Sequence, residues 1–172
     1  MATTAAGGAA SQPKALLAPD RYDRFLAAAA LILLCVVAIA LWRGRDEWGE
    51  VPTFVWSHIA TIVLALGLTP VMLLRRRGDR LHRRLGWIWV SAMGLTALLT
   101  FWIRGLNGAS LSFIHILSAW TLIQVPLIIW AARSHNIARH RAAVRGMVTG
   151  ALIIAGVFTF PFGRLLGDWL LG

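Results

Sequence analysis

Long apolar stretches alternate with short polar segments along the chain, and most of the polar segments are basic. Each apolar stretch is close to the roughly 20 residues that a helix needs to cross a hydrocarbon core of about 30 Å. The stretches lack the strict alternation of a barrel strand, so helices are expected to satisfy the backbone in lipid. The pattern predicts an all-α membrane protein with five transmembrane helices. The predicted spans are Phe25 to Trp42, Thr53 to Leu74, Leu85 to Ile103, Leu111 to Ala132 and Val144 to Phe162.

The segment before the first span is rich in small residues and holds two prolines. Such a composition predicts a flexible N-terminal leader over residues 1–24, followed by a single five-helix transmembrane domain over residues 25–172. The polar flank after Trp42 offers no small-residue cleavage site, so the first span is expected to be a retained helix.

Composition agrees with a lipid environment, since 58% of the residues are hydrophobic, 14% are charged and the mean hydropathy is +0.70. An ordinary soluble domain carries about a quarter charged residues. The formal net charge of +10 would suggest nucleic acid in a soluble chain, but here the basic residues are interpreted as topology signals and no nucleic-acid partner is predicted. The lone Cys35 cannot form an internal disulfide.

Basic residues are distributed unequally between the two sides of the predicted membrane. The leader and the second and fourth connections hold 13 Lys and Arg residues, whereas the opposite side holds four. This excess predicts a multi-pass inner-membrane protein with a cytoplasmic N-terminus and a periplasmic or extracellular C-terminus. The basic face is also suited to anionic membrane lipid. Tryptophans near the predicted helix ends, Trp169 among them, are expected to form an interfacial belt.

Four of the five histidines follow a repeat. His58 and His82 are 24 residues apart, His115 and His140 are 25 apart, and the two halves are offset by 57 and 58 residues. This spacing predicts two repeated hairpins, about 53–104 and 110–163, that form a four-helix bundle from the last four helices. An axis along the membrane normal would bring His58 opposite His115, here named the outer pair, and His82 opposite His140, the inner pair.

An ionisable side chain in a span is costly and is treated as a functional candidate that faces the bundle interior. Two facing histidines are too few for a usual zinc site, which has three or four protein ligands. A haem iron already has four ring nitrogens and lacks two axial ligands, so each pair predicts a bis-histidine b-type haem, giving one or two haems. Arg83 and Arg141 lie where they could pair with the propionates of an inner haem.

Two short motifs carry a resemblance to known proteins. The segment from His82 to Gly86 reads HRxxG, and the segment from Ala138 to Arg141 reads AxHR. They resemble a family of predicted bacterial integral membrane proteins of unassigned function. The four-histidine arrangement also resembles the di-haem transmembrane b-type cytochromes that ascorbate or quinols reduce. This second likeness implies His58 and His115 as outer axial ligands and His82 and His140 as inner ones.

The function expected on this basis is transmembrane electron transfer, with quinone, an ascorbate-like donor or a redox protein as partner. The outer pair is the firmer candidate because His82 and His140 lie in arginine-rich segments at the hydrocarbon edge, where Asp79 and Asn136 could cap earlier helix starts. For the outer pair, a hydrogen-bonded histidine without cofactor and a proton or substrate pathway stay open. For the inner pair, capping or lipid contact stays open. The sequence is compatible with a membrane oxidoreductase, a non-catalytic subunit or a small transporter. It is also compatible with an oligomer.

Overall fold

Helices make up all the regular secondary structure in the computed structural model, which describes residues 17–103, 113–161 and 163–172. The all-α prediction is confirmed for this part of the chain. In order, the elements are α1 (Arg21–Arg43), a 3₁₀ helix (Arg45–Glu50), α2 (Thr53–Leu74), α3 (Arg80–Ile103), α4 (Phe113–Arg133), α5 (Ile137–Met147), a π-helix (Val148–Ile154), α6 (Ala155–Val157) and α7 (Leu165–Leu171).

Four of the described helices, α1 to α4, are long and apolar enough to cross a membrane. The predicted fifth span corresponds to α5, the π-helix and α6, which follow one another from Ile137 to Val157. Because α5 carries Arg139, Arg141 and Arg145, this segment is less apolar than the other four, and a fifth crossing stays a prediction. The predicted boundaries Leu111 and Phe162 lie outside the described residues, as do residues 1–16 of the leader.

Helix α1 begins within the stretch predicted as leader. Asp20 is its N-cap and accepts a hydrogen bond from the backbone N–H of Asp23, while the Asp23 carboxylate accepts one from the backbone N–H of Asp20. This reciprocal capping satisfies two donors that a helix start leaves open. The helix therefore starts at Arg21, four residues before the predicted Phe25.

Polar caps start α3 and α5 before the apolar spans predicted at Leu85 and Val144, at the two residues that the sequence offers as caps, Asp79 and Asn136. The carboxylate of Asp79 accepts from the backbone N–H of His82 at 2.6 Å, and the Asn136 side chain accepts from Arg139 at 3.0 Å. Each cap supplies a partner for a first-turn N–H. As a result, His82 and His140 lie in the first turns of α3 and α5.

Helices α2 to α5 and the π-helix pack as a closed ring, and α1 packs against the outside of this ring. In sequence order α2 contacts α3, α3 contacts α4 and α4 contacts α5, and the π-helix closes the ring by contacting α2. Helix α1 lies against α2 and the π-helix, and α7 packs on α1. Several large apolar side chains on the outside are more than half exposed, which suits contact with lipid. Examples are Phe25, Ile32, Ile116 and Ile123.

Trp169 does not belong to the exposed aromatic belt that the sequence predicts. It is only 5% exposed, and its indole N–H donates to the Glu47 carboxylate at 2.9 Å. In contrast, Trp42 is 68% exposed and Trp130 is 52% exposed, as expected of interfacial tryptophans. Trp169 is buried because α7 returns against the C-terminal end of α1 and covers it.

Candidate functional site

The inner pair lies between the first turns of α3 and α5. The ring centroids of His82 and His140 are 6.4 Å apart, and their planes are inclined at 75°. Each histidine lies in a first turn because its helix begins at a polar cap, Asp79 or Asn136, only a few residues earlier. The structure thus brings together two histidines that are 58 residues apart in the sequence.

His140 makes a hydrogen bond that orients its ring. Its Nδ1 is 3.2 Å from the backbone carbonyl of Ile128 on α4. A carbonyl only accepts, so Nδ1 carries the hydrogen and donates, and the lone pair of the neutral ring is at Nε2. A backbone carbonyl on the far ring nitrogen is the usual second-shell partner of a metal-binding histidine.

His82 differs from its partner in its hydrogen bonding. Its Nδ1 is buried and has no hydrogen-bond partner in the described structure. A buried nitrogen without a partner costs the free energy of its desolvation. The Nδ1 atom of His82 is therefore a buried polar atom that no described residue satisfies.

A cavity of about 600 Å³ contains both inner histidines in its wall. Its lining is mainly apolar and aromatic and includes Trp89, Val90 and Ile128. This volume is within the range of about 300–1,000 Å³ that is typical of small-molecule and cofactor pockets.

The two arginines predicted near an inner haem also line this cavity. Arg83 is exposed and donates to the backbone carbonyl of Gly78 at 2.6 Å. Arg141 is 9% exposed and forms ion pairs of 2.8 Å with both Asp20 and Asp23. Arg83 is therefore at the open side of the cavity, while Arg141 is held in a buried cluster beside it.

The outer pair lines a second cavity, of about 860 Å³, that includes both His58 and His115 in its wall. His58 donates from Nδ1 to the backbone carbonyl of Thr96 on α3 at 3.2 Å, which leaves the lone pair of the neutral ring at Nε2. His115 is 7% exposed, and its ring centroid is 5.8 Å from that of Phe101. The outer histidines thus share a cavity, as do the inner ones.

A line of hydroxyl groups fixes the helices beside His58. Thr96 donates to the hydroxyl of Thr61 at 2.7 Å, and Thr61 donates to the backbone carbonyl of His58 at 2.9 Å. Together with the bond from His58 to Thr96, these contacts join α2 to α3 at the level of the outer pair. Hydrogen bonds between helices supply partners that lipid cannot offer.

A buried ion cluster in the wall of the inner cavity was not predicted from the sequence. Asp23 is 0% exposed and accepts hydrogen bonds from Arg77 at 2.7 Å, Arg141 at 2.8 Å and Arg145 at 2.9 Å. The only sequence signal is the Asp20–Asp23 spacing, which is typical of a capping box at a helix start. That signal predicts the start of α1 but not the distant arginines.

Two carboxyl groups outside the apolar helices have lowered pKa values. The hydrogen bond from Arg145 lowers the pKa of Asp20 from its ordinary value of 3.8. The hydrogen bond from Arg75, with a further one from the backbone N–H of His82, lowers the pKa of Asp79 to about 2. Both aspartates are consequently ionised at neutral pH, as their roles as cap and ion-pair partner require.

No protein family matches this chain, and no curated protein or solved structure is significantly similar to it.

Proposed function

We propose that the protein transfers electrons across a membrane through b-type haem held between paired histidines, and that the inner pair is the principal site. The observation that carries the proposal is the 6.4 Å separation of the His82 and His140 ring centroids on the wall of one cavity. Haem, when bound, supplies a one-electron redox centre whose potential depends on its axial ligands and surroundings.

At this separation of the ring centroids, His82 and His140 would hold one metal between them. Two imidazoles that bind a metal from opposite sides through bonds of about 2 Å have ring centroids about 6 Å apart. The observed 6.4 Å agrees with this distance. The 75° angle between the planes is compatible with it, because each ring can rotate about its own metal–nitrogen bond.

The donor set also favours haem over a bare metal ion. No group of three or more His, Cys, Asp or Glu side chains suited to a metal is present within residues 17–103, 113–161 and 163–172. A pair of histidines is short of the three or four ligands of a zinc site but equals the number of axial positions on a haem iron.

The inner cavity suits a ligand with an apolar body and anionic groups. Trp89 and Val90 provide apolar wall, and Arg83 and Arg141 add positive charge. Arginine binds carboxylates through charge-assisted hydrogen bonds, so Arg83 would hold a propionate, while Arg141 would add positive charge from its place in the ion pairs with Asp20 and Asp23. His140, oriented by the Ile128 carbonyl, would bind through Nε2.

The outer pair is proposed as a second haem site of the same kind. His58 has the same Nδ1 hydrogen bond to a backbone carbonyl as His140, and it shares its cavity with His115. Two sites at different levels would extend the electron path across the bilayer. Iron with two axial histidines has no open position, so the proposed partners are electron donors and acceptors such as quinone, an ascorbate-like reductant or a redox protein.

The excess of arginines on one side supports a place in the inner membrane with the N-terminus in the cytoplasm. On this basis the enzyme class would be a membrane oxidoreductase.

Absorption spectra of the purified protein in detergent, oxidised and then reduced with dithionite, test the proposal. Protein from haem-replete cells should show the sharp reduced bands of low-spin b-type haem. His82→Asn and His140→Asn should each remove the inner signal, because one axial ligand is lost. Ser134→Ala is the control, since Ser134 is exposed, lies outside the lining of the inner cavity and donates its hydroxyl to the Ala131 carbonyl in its own turn. A colourless wild-type protein would rule the proposal out.

A further inference from the structure

Asp23 is the centre of a buried ion cluster that joins three parts of the chain. Its carboxylate lies at the start of α1 and is 0% exposed. Arg77 comes from the connection between α2 and α3, and Arg141 and Arg145 come from α5. The Asp23 side chain therefore binds both the connection that precedes His82 and the helix that carries His140.

The arginines are close in sequence to the histidines of the inner pair. Arg77 precedes His82 by five residues, and Arg141 directly follows His140. Arg77 also donates to the backbone carbonyl of Ala18 at 3.0 Å, and its own N–H donates to that of Leu17 at 3.4 Å. These contacts fix the connection before α3 against the start of α1.

On the other side of the cluster, two arginines from the middle and the last turn of α5 hold that helix. Arg145 donates from Nε to Asp23 at 2.9 Å, and Arg141 donates to Asp23 at 2.8 Å. Asp20, whose side chain is 49% exposed, pairs with the same two arginines from the surface side. A buried carboxylate with several charge-assisted hydrogen bonds holds its partners in one geometry, whereas an exposed pair does so weakly.

We infer that Asp23 is a positioning residue that sets the separation of His82 and His140. The effect of Asp23 on a bound haem rests on the proposed function, whereas its effect on the distance between His82 and His140 does not. When the Asp23 carboxylate is replaced by a neutral amide, Arg77 loses its buried partner. The same change removes the link that this carboxylate makes between α5 and the α2–α3 connection. The two histidine-bearing segments would then be free to move apart.

A cross-linking measurement tests the separation without haem. The parent protein carries Cys35→Ala, His82→Cys and His140→Cys, and a short bifunctional thiol reagent joins the two new cysteines. Adding Asp23→Asn should reduce the cross-linking rate several-fold. Asp46→Asn, the same change at an exposed carboxylate, should leave the rate unchanged. An unchanged rate with Asp23→Asn would overturn the inference.

A second variant covers the case in which Asp23→Asn does not give folded protein. Arg77→Lys keeps the charge but replaces the planar guanidinium with a single ammonium, which cannot reproduce the contacts to both Asp23 and Ala18. It should reduce the cross-linking rate to an intermediate value. An unchanged rate in this variant would overturn the inference equally.

The haem-loaded protein gives a readout that a general loss of stability would not produce. Asp23→Asn should raise the reduction potential of the inner haem, because a negative charge near the site is removed, and should change its electron paramagnetic resonance signal as the histidine rings move. Asp46→Asn should change neither. Absence of haem in the wild type would refute the proposed function and leave the cross-linking result standing, whereas unaltered cross-linking in a haem-containing protein would refute the positioning role alone.

Discussion

The indole ring of Trp169 lies directly against the backbone of Gly44, where α7 returns to the end of α1. A Cβ atom placed on Gly44 would be 2.0 Å from Cδ2 of Trp169. The ring is rigid and buried, and it is held by its hydrogen bond to Glu47. Glycine is therefore needed at position 44, because only a residue without a Cβ atom lets the Trp169 ring lie this close to the backbone.

Gly44→Ala should destabilise the protein, because α7 must move to accommodate the methyl group. Overpacking of this kind costs about 1–3 kcal/mol. Thermal unfolding in detergent should show a lower midpoint for this variant. Gly49→Ala is the control, since a Cβ there would have no neighbour within 4 Å, and its midpoint should equal that of the wild type. Equal midpoints for both variants would contradict the packing.

A buried hydrogen bond between Trp89 and Thr69 gives a second prediction. The indole N–H of Trp89 donates to the Thr69 hydroxyl at 3.0 Å, and both side chains are at most 3% exposed. Thr69→Val keeps the shape but leaves the N–H without its acceptor, which costs about 1–3 kcal/mol. The free energy of unfolding should fall by this amount, while Thr53→Val, at an exposed site, should have little effect.

A double-mutant cycle separates this hydrogen bond from general packing. Combining Thr69→Val with Trp89→Phe removes both partners, so the loss of stability should be smaller than the sum of the two single losses. Additive losses would show that the hydrogen bond contributes nothing beyond packing.

Regular apolar helices could be predicted closely from the sequence. Helix α2 is predicted at Thr53 to Leu74 and is observed at those bounds, because Pro52 and the arginines after Leu74 limit the apolar stretch on both sides. Hydropathy alone starts α3 and α5 too late, because Asp79 and Asn136 cap polar first turns that it does not include, whereas the capping residues themselves indicate the earlier starts. Local hydrogen bonding, not hydrophobicity, determines these starts.

The environment of the inner pair could not be predicted in the same way. The arginines near His82 and His140 suggest a wet, exposed segment, and so the sequence favours the outer pair. In the structure, Arg77 and Arg141 are buried against Asp23, which is 54 and 118 residues away from them. A charge pattern read along the chain cannot reveal a partner that only the tertiary fold brings near.

Asp79 gives a pH-dependent prediction. Its pKa is lowered to about 2 from an ordinary value of 3.8, mainly by the hydrogen bond from Arg75. A lowered pKa means that the ionised group stabilises the fold fully above the unfolded pKa and that this contribution is lost as the pH falls toward the folded pKa. The stabilisation should be complete above about pH 4 and should disappear near pH 2.

Comparing wild type with Asp79→Asn measures this contribution, since asparagine keeps the helix cap but not the charge. The difference in unfolding midpoint should be constant between pH 5 and 7 and should decline below about pH 4. Asp46→Asn is the control, because the same change is made at an exposed carboxylate whose contact with Arg45 is long, at 3.8 Å. A difference for Asp79→Asn that is independent of pH would contradict the role of the charge.

The outer pair yields a prediction about haem content that is independent of the inner pair. His58→Asn removes one proposed axial ligand of the outer haem but leaves the inner cavity intact, because its lining does not include His58. The haem content per protein should therefore fall by about half while the inner spectrum persists. Ser57→Ala is the control, since Ser57 is exposed and bonds only within its own helix turn, to the Thr53 carbonyl. Full haem content in His58→Asn would mean that the outer histidines serve as hydrogen-bonded residues of a cofactor-free cavity, and that any electron path must run through the inner site.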